Sequence, residues 1–312
     1  MGLGAFLQGP ILQSINLGLL WSIMAIGVFI TFRILNFADL TVEGSFVLGA
    51  VVAARLITGT NIDPLIATLI AALVGVAAGL ITGFFHTVLK IPPLLSGILT
   101  MTGLFSINLR VMGMANISLG RGVTTLMDNV AAGLGGITPR NASIVVGAIF
   151  VFIVIIILRM FFNTELGYAI RATGDNEQMI KAQGVNTNRM KVFGLALGNA
   201  CVALSGALVA QAQGFADVNM GVGTIVTGLA AVIIGEVFFR DKNNHRVFIA
   251  VVVGAVLFFI IRALVLSIPF MNANDFRGIT AVVIAIALAL PMFRDKFNIR
   301  LKKAVLGKGG AE

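Results

Sequence analysis

Apolar runs of about twenty residues, separated by short polar breaks, recur along the whole chain. Nine such segments stand out, at about 11–32, 40–57, 64–85, 93–110, 143–162, 191–213, 222–239, 247–268 and 278–293. A helix needs roughly 20 residues to cross ~30 Å of hydrocarbon, so each run is long enough to be a membrane span. The alternating ten-residue strands of an outer-membrane barrel are absent. The fourth segment opens on Pro92-Pro93, which fits a first helical turn, where a missing N–H costs little. Residues 111–142, rich in Gly, Asn and Thr, leave room for a short interfacial helix and are otherwise open. The pattern predicts an all-α integral membrane protein with about nine transmembrane helices.

Composition agrees. Of 312 residues, 58% are hydrophobic and 11% charged, against about a quarter charged in soluble domains. The net charge of +9 is read as topology rather than as a nucleic-acid surface, because Lys and Arg concentrate in cytoplasmic loops. With the N-terminus outside, 16 of the 22 Lys and Arg residues fall on the cytoplasmic side. The expected placement is therefore N-terminus out and C-terminus in, with the basic tail against anionic lipid. Cys201 is the single cysteine, so no intrachain disulfide forms, and His86 and His245 stand apart without a metal-ligand cluster. The N-terminal stretch lacks a charged n-region, so no cleaved signal peptide is expected.

One polar break has an echo. Asn36-Phe37-Ala38-Asp39 lies between the first two segments, and Gly214-Phe215-Ala216-Asp217 follows the sixth. In both, a long apolar span leads to Phe-Ala-Asp, a few small or polar residues, and a glycine-rich apolar helix. Five spans separate the copies, so the two units point in opposite directions. Interrupted helices in inverted units are a transporter device, because polar backbone at membrane depth survives only where protein or a cavity satisfies it. Asp39 and Asp217 fit helix caps at a membrane boundary equally well. Glu43 is a charge inside a sequence otherwise fit for lipid, which points to function, with support of the helix start as the alternative. Arg262 within the eighth span either pairs with a protein or solute carboxylate or snorkels towards the outer surface, and Glu236 at the inner end of the seventh carries the same ambiguity.

The most polar stretch, Thr164 to Lys191, predicts two short helices broken at Thr173-Gly174-Asp175, with Gly184 ending the second. Its residues carry a resemblance. Gly167, Ala169, Ile170, Arg171, Ala172, Asn176, Gly184, Val185 and Asn186 match the cytoplasmic coupling segment of ABC importer permeases of the branched-chain amino acid/ribose permease family. The Ala-Ala pair common in that family is replaced here by Met179-Ile180. Leu35-Asn36-Phe37-Ala38 resembles amino-acid members, whereas Asp39 to Ser45 echoes sugar members. The resemblance runs from about residue 15 to 295.

That resemblance implies a cobalamin-importer-permease-like fold in one permease domain over residues 1–312. Inverted units of about 11–110 and 191–293 would flank a coupling segment at 163–190. It implies a multi-pass protein of the bacterial plasma (inner) membrane that imports a small solute, an amino acid of branched-chain or aromatic type. Expected partners are a second permease copy, cytoplasmic ATPase subunits and an extracytoplasmic binding protein. The chain has no GxxxxGK[ST] phosphate loop, so ATP and Mg belong to the ATPase partner, and no catalytic residue, metal or cofactor is expected here. Glu165, Gly167, Arg171, Ala172, Gly174, Asp175, Asn176 and Gly184 are the implied ATPase-coupling residues. Asn36, Asp39, Thr41, Glu43, Ser45, Asp217 and Asn219 are the implied translocation-pathway residues. An ion-coupled secondary transporter shares the inverted units and the buried carboxylates and is the rival reading.

Overall fold

The computed structural model describes residues 11–60, 62–120, 122–238 and 247–266, with 9, 278, 281, 282 and 285 as isolated positions. The helices are α1 (Leu12–Val28), α2 (Thr41–Thr60), α3 (Pro64–Thr87), α4 (Pro93–Met112), α5 (Leu126–Gly133), α6 (Pro139–Phe162), α7 (Glu165–Asp175), α8 (Glu177–Ala182), α9 (Thr187–Gln213), α10 (Thr224–Phe238) and α11 (Val247–Leu266). Among the described residues, seven helices are long and apolar enough to span a membrane. Within the expected segment 222–239, α10 is described over 15 residues, about 22 Å at 1.5 Å per residue. The segment at 278–293 and the basic tail lie outside the described residues.

Residues 111–142 hold more than a single short helix. Asn116–Ser118 (β1) pairs antiparallel with Phe215–Asp217 (β2), with Ile117 opposite Ala216. The second Phe-Ala-Asp is therefore an edge-to-edge strand in an otherwise helical bundle. α5 carries a reciprocal capping box between Thr125 and Asp128. This ribbon marks one end of the bundle, and α7 and α8 mark the other.

α9 is the axis of the structure, packed on α1, α2 and α3. Small residues let these backbones approach. Gly75, Gly79 and Gly83 form a stripe on α3, and a Cβ on any of them would run into Asn199 and Ala203, Leu195 and Ala196, or Val192 of α9. In lipid, where association depends on close packing rather than on the hydrophobic effect, such small-residue stripes make the helix contacts. The contact pairs also fix directions. Leu20 meets Ser205 and Leu35 meets Gly194, so α1 and α9 are antiparallel. Ser45 meets Asn199 and Gly49 meets Ala203, so α2 runs parallel to α9. Gly228 meets Met24 and Val28 while Glu236 meets Arg33, so α10 runs parallel to α1.

Residues facing away from the bundle are large and apolar on α3 (Leu69, Leu73, Phe84) and α6 (Phe152, Ile157, Met160), a surface suited to lipid tails. α4 contacts α2 and α3 and leaves Leu95, Leu99, Phe105 and Ile107 uncovered.

Gly79→Val is expected to destabilise the solubilised protein by about 1–3 kcal/mol through overpacking against α9. At Gly103, where an added Cβ meets nothing within 4 Å, Gly→Ala should be neutral or stabilise by up to about 1 kcal/mol. The two midpoints of thermal unfolding in detergent check the pair.

Candidate functional site: two broken helices that meet inside the bundle

The first break begins before it is visible as a loop. α1 widens into a π-helical stretch at Phe29–Ile34, with Leu35 N donating to Ile30 O at 3.0 Å and Phe37 N to Thr31 O at 2.9 Å. Asn36 then turns with φ +53°, a left-handed conformation that asparagine tolerates better than most residues. It is exposed and shapes the turn.

Asp39 is fully buried and joins three elements. Its Oδ1 accepts from Thr41 N at 2.9 Å at the start of α2, and its Oδ2 accepts from Asn199 Nδ2 at 2.7 Å on α9. Asn199 Oδ1 in turn accepts from Ser45 Oγ at 2.6 Å. A second chain runs from Thr41 Oγ1 to Thr82 Oγ1 at 2.6 Å and on to Thr100 Oγ1 at 2.9 Å. Asp39, Thr41 and Ser45 are thus completely buried and hold α2, α3, α4 and α9 together. The amides and hydroxyls of this network are satisfied, as a water-free interior demands. Asn199, Thr82 and Thr100 were not expected from the sequence. The signal for them was present: each is a hydrogen-bonding side chain in the middle of an apolar run.

The second break repeats the turn chemistry. Asp217 Oδ1 accepts from Asn219 N at 2.7 Å, the same two-residue reach that Asp39 makes to Thr41. Asn219 is exposed. The chain then turns at Gly223, with φ +80°, into α10. Here the two breaks meet: Glu43 Oε1 accepts from Gly223 N at 2.9 Å, and an added Cβ at Gly221 would run into the Glu43 carbonyl. Asn199 lies beside Ser45, 12 residues into α9, about 18 Å from its start at 1.5 Å per residue. α2 and α10 therefore begin within the bundle, N-terminus towards N-terminus, and run to opposite ends. The Glu43 carboxylate stands at the positive end of α10, where an anion is favoured.

Beside this junction lies a cavity of about 230 Å³ lined by Glu43, Gly44, Val47, Met101, Thr102, Phe105, Asn108, Val218, Gly221 and Val222. It opens on the uncovered side of α4. Asn108 Nδ2 donates to Gly44 O at 3.2 Å, while its buried Oδ1 has no partner among the described residues. Asn108 was another residue the sequence did not nominate. A larger cavity of about 910 Å³ at the ribbon end is walled by Asn16, Thr125, Asp128, Arg140, Ser143 and Gln211 among others.

At the opposite end, the break between the two short helices falls at Asn176, not at Thr173–Asp175. α7 runs unbroken through Gly174 to Asp175. Gly174 supplies closeness rather than flexibility, since an added Cβ would collide with Ile34 O of the π-helical stretch. Asn176 is the N-cap of α8, its Oδ1 accepting from Met179 N at 3.0 Å. Gly167 packs on Phe161 and Phe162 in the same way. Arg171 does not project outward: it is half-buried, its guanidinium 4.9 Å from the Phe162 ring, and burial pulls its pKa below the usual arginine value. Ala172 is partly covered, Gly184 (φ +83°) ends α8, and Glu165, Asp175 and Asn176 are exposed. Leu166 and Tyr168 on α7 and Met179 on α8 are exposed apolar side chains.

Glu177 anchors this element to α9. It accepts from Lys181 Nζ at 2.8 Å, Lys191 Nζ at 2.8 Å and Thr187 Oγ1 at 3.0 Å, and the two lysines hold its pKa down at about 2. Lys191 Nζ also lies 3.4 Å from His86 Nε2, whose Nδ1 faces Ile91 O at 2.8 Å. Arg33 and Glu236 pair through two contacts of 2.7 and 3.2 Å, joining α10 to the π-helical stretch. Arg262 lies over the Phe259 ring at 5.3 Å.

Residues 11–290 match the family described as "Branched-chain amino acid transport system / permease component". The chain belongs to that family of ABC-type permeases. The permease is 43% identical over 293 residues to the tyrosine transport system permease protein of Clostridioides difficile, covering 94% of each chain. It is 33% identical over 270 residues to the uncharacterized protein RP368 of Rickettsia prowazekii, covering 85% of this chain and 92% of that one. It is 26% identical over 197 residues to the autoinducer 2 import system permease protein LsrC of Yersinia pseudotuberculosis, covering 61% of this chain and 50% of that one. No solved structure matches the permease.

Two outcomes follow from the geometry. Asn199→Leu leaves a buried carboxylate oxygen and the Ser45 hydroxyl unpaired, so it should cost about 3 kcal/mol in detergent unfolding. Because the Glu177 pKa is depressed to about 2, its contribution is full above pH ~4.5 and fades as pH falls towards 2. The stability gap between the native permease and Glu177→Gln should therefore narrow on acidification from pH 5 to 3, read as the difference in unfolding midpoints.

Proposed function

We propose that the permease is the membrane subunit of an ATP-driven importer of an amino acid, tyrosine or a related aromatic, in the bacterial plasma membrane. The aromatic choice rests on the tyrosine permease to which this chain is 43% identical over nearly its whole length. Two permease copies, two cytoplasmic ATPases and an extracytoplasmic binding protein make up the assembly. The N-terminus faces outward, so the end carrying α7 and α8 is cytoplasmic, in keeping with Arg33, Lys181, Arg189 and Lys191 there.

The observation that carries this reading is the way α7 and α8 are fixed to the bundle. The two helices form an exposed strip of chain whose uncovered side chains include Leu166, Tyr168, Met179, Glu165 and Asp175. Behind it, Gly167 and Gly174 press on α6 and the π-helical stretch, and Glu177 ties α8 to α9. A partner that moves this strip moves Ile34 and Lys191 with it, and through them the two helices that flank Asp39. The solute path follows the uncovered face of α4, where Glu43 stands between the breaks and where a second copy completes the wall. The antiparallel meeting of α2 and α10 supports an inverted pairing of the two halves. ATP binding on the partner then biases a two-state structure rather than doing chemistry in this chain.

Met179→Glu and Tyr168→Glu are expected to lower ATP-dependent tyrosine uptake at least about tenfold, roughly 1.4 kcal/mol of lost coupling, while membrane insertion stays normal. Unchanged uptake in both would remove the docking role. An ion-coupled carrier would instead keep its uptake after ATP depletion and lose it with the ion gradient.

A further inference from the structure

We propose that Glu43 and Asn108 form a subsite for the ammonium group of the transported solute, with Phe105 and Met101 receiving its apolar body. This rests on the import reading above and specifies which end of the solute the permease itself recognises.

The polar groups facing the 230 Å³ cavity are unequal in a telling way. Glu43 gives one oxygen, Oε1, to Gly223 N; among the described residues no hydrogen bond engages Oε2. Asn108 is 2% exposed, and its amide orientation is set by the donation from Nδ2 to Gly44 O. The reverse orientation would set two oxygens against each other, so Oδ1 is the atom left over, buried and unpartnered. The Thr102 hydroxyl is turned back to Ile98 O at 2.9 Å. Glu43 Oε2 is thus a charged acceptor at the cavity, and Asn108 Oδ1 is a second acceptor buried in its wall that binding must uncover; neither is matched by a donor among the described residues. A buried acceptor without a donor is costly, and a group with several N–H donors and a positive charge relieves both at once. A carboxylate or phosphate set against Glu43 is repelled, so an amino acid enters with its own carboxylate turned away from Glu43, and a neutral hydroxyl satisfies one acceptor without balancing the charge.

The remaining wall is apolar and soft: Val47, Val218 and Val222, the Met101 thioether and the exposed Phe105 ring. An aromatic side chain packs on Phe105 and Met101 with geometry-dependent gain. The volume lies just below the usual range for ligand cavities, which run from roughly 300 Å³ upward, and suits one amino acid rather than a disaccharide. Glu43 thereby has a double place, holding the start of α10 with one oxygen and the solute with the other. Binding and the geometry of the second break are coupled through a single side chain.

The test uses the full-length permease in lipid nanodiscs with Thr102→Cys as reporter. Thr102 is exposed at the cavity, whereas Cys201 is buried, so the native chain gives the blank. The rate of thiol modification is compared for a cationic aminoethyl and an anionic sulfonatoethyl methanethiosulfonate. The cationic reagent should react about tenfold faster, the factor of one charge-assisted hydrogen bond. That preference should fall to near parity with Glu43→Gln, which keeps the Gly223 contact. L-Tyrosine and tyramine should both slow modification, and 3-(4-hydroxyphenyl)propanoate, which lacks the ammonium, should not. Asn108→Leu should raise the protecting concentration about tenfold. Equal protection by propanoate and tyramine, or a charge preference untouched by Glu43→Gln, overturns the subsite. ATP-driven tyrosine uptake is measured alongside: intact uptake without amine protection overturns the subsite alone. Amine protection in a transporter that does not take up tyrosine keeps the subsite and overturns the aromatic amino-acid reading.

Discussion

A helix that starts inside a membrane exposes N–H groups that neither lipid nor water can satisfy, and this constraint organises the permease. Two carboxylates meet it. Asp39 accepts from the first residue of α2 and is itself held by Asn199. Glu43, one turn further on, reaches across to Gly223 at the start of α10. A lone charge among lipid-facing residues is prohibitive, so both carboxylates are placed where protein donors surround or face them. The close packing of α9 follows from the same demand: Asn199 can bridge Asp39 and Ser45 only because the small residues of α2 and α3 let their backbones lie against it.

The ends of the bundle serve different physics. At the ribbon end, β1 and β2 pair backbone groups that would otherwise be left open where two connections cross the surface. At the other end, α7 and α8 are clamped by shape rather than by charge alone. Gly174 against Ile34 leaves no room for sliding, and Glu177 with Lys191 locks the register. A force applied to that element therefore arrives at the π-helical stretch, the widest and least regular turn of α1, immediately before Asp39.

Seven of the nine expected spans were legible in the sequence, because twenty-residue apolar runs and their opening prolines have few other readings. The two aspartates were legible as well, since Phe-Ala-Asp repeats beside them. What the sequence did not disclose was depth. Nothing in the run 222–239 says that its helix begins part-way across, because valine and glycine read alike in a turn and in a span. The ribbon was hidden for a related reason: three-residue strands have no periodicity to detect. Gly174 was read as a breaker, since composition cannot distinguish a glycine that bends a helix from one that lets a neighbour touch it. Asn108 and Asn199 were visible as lone amides in apolar runs, but their partners lie 64 and 160 positions away and no local pattern links them.

The central claim is that α2 and α10 begin at a shared point inside the membrane, joined by Glu43. A single-particle structure of the full-length permease in a lipid nanodisc measures it directly, by the distance from the Glu43 carboxylate to the Gly223 amide and the depth of both. The account predicts hydrogen-bonding distance between them and a start for α10 well below the lipid headgroups. A continuous α10 that reaches the membrane surface, with Glu43 turned away from it, would contradict the account.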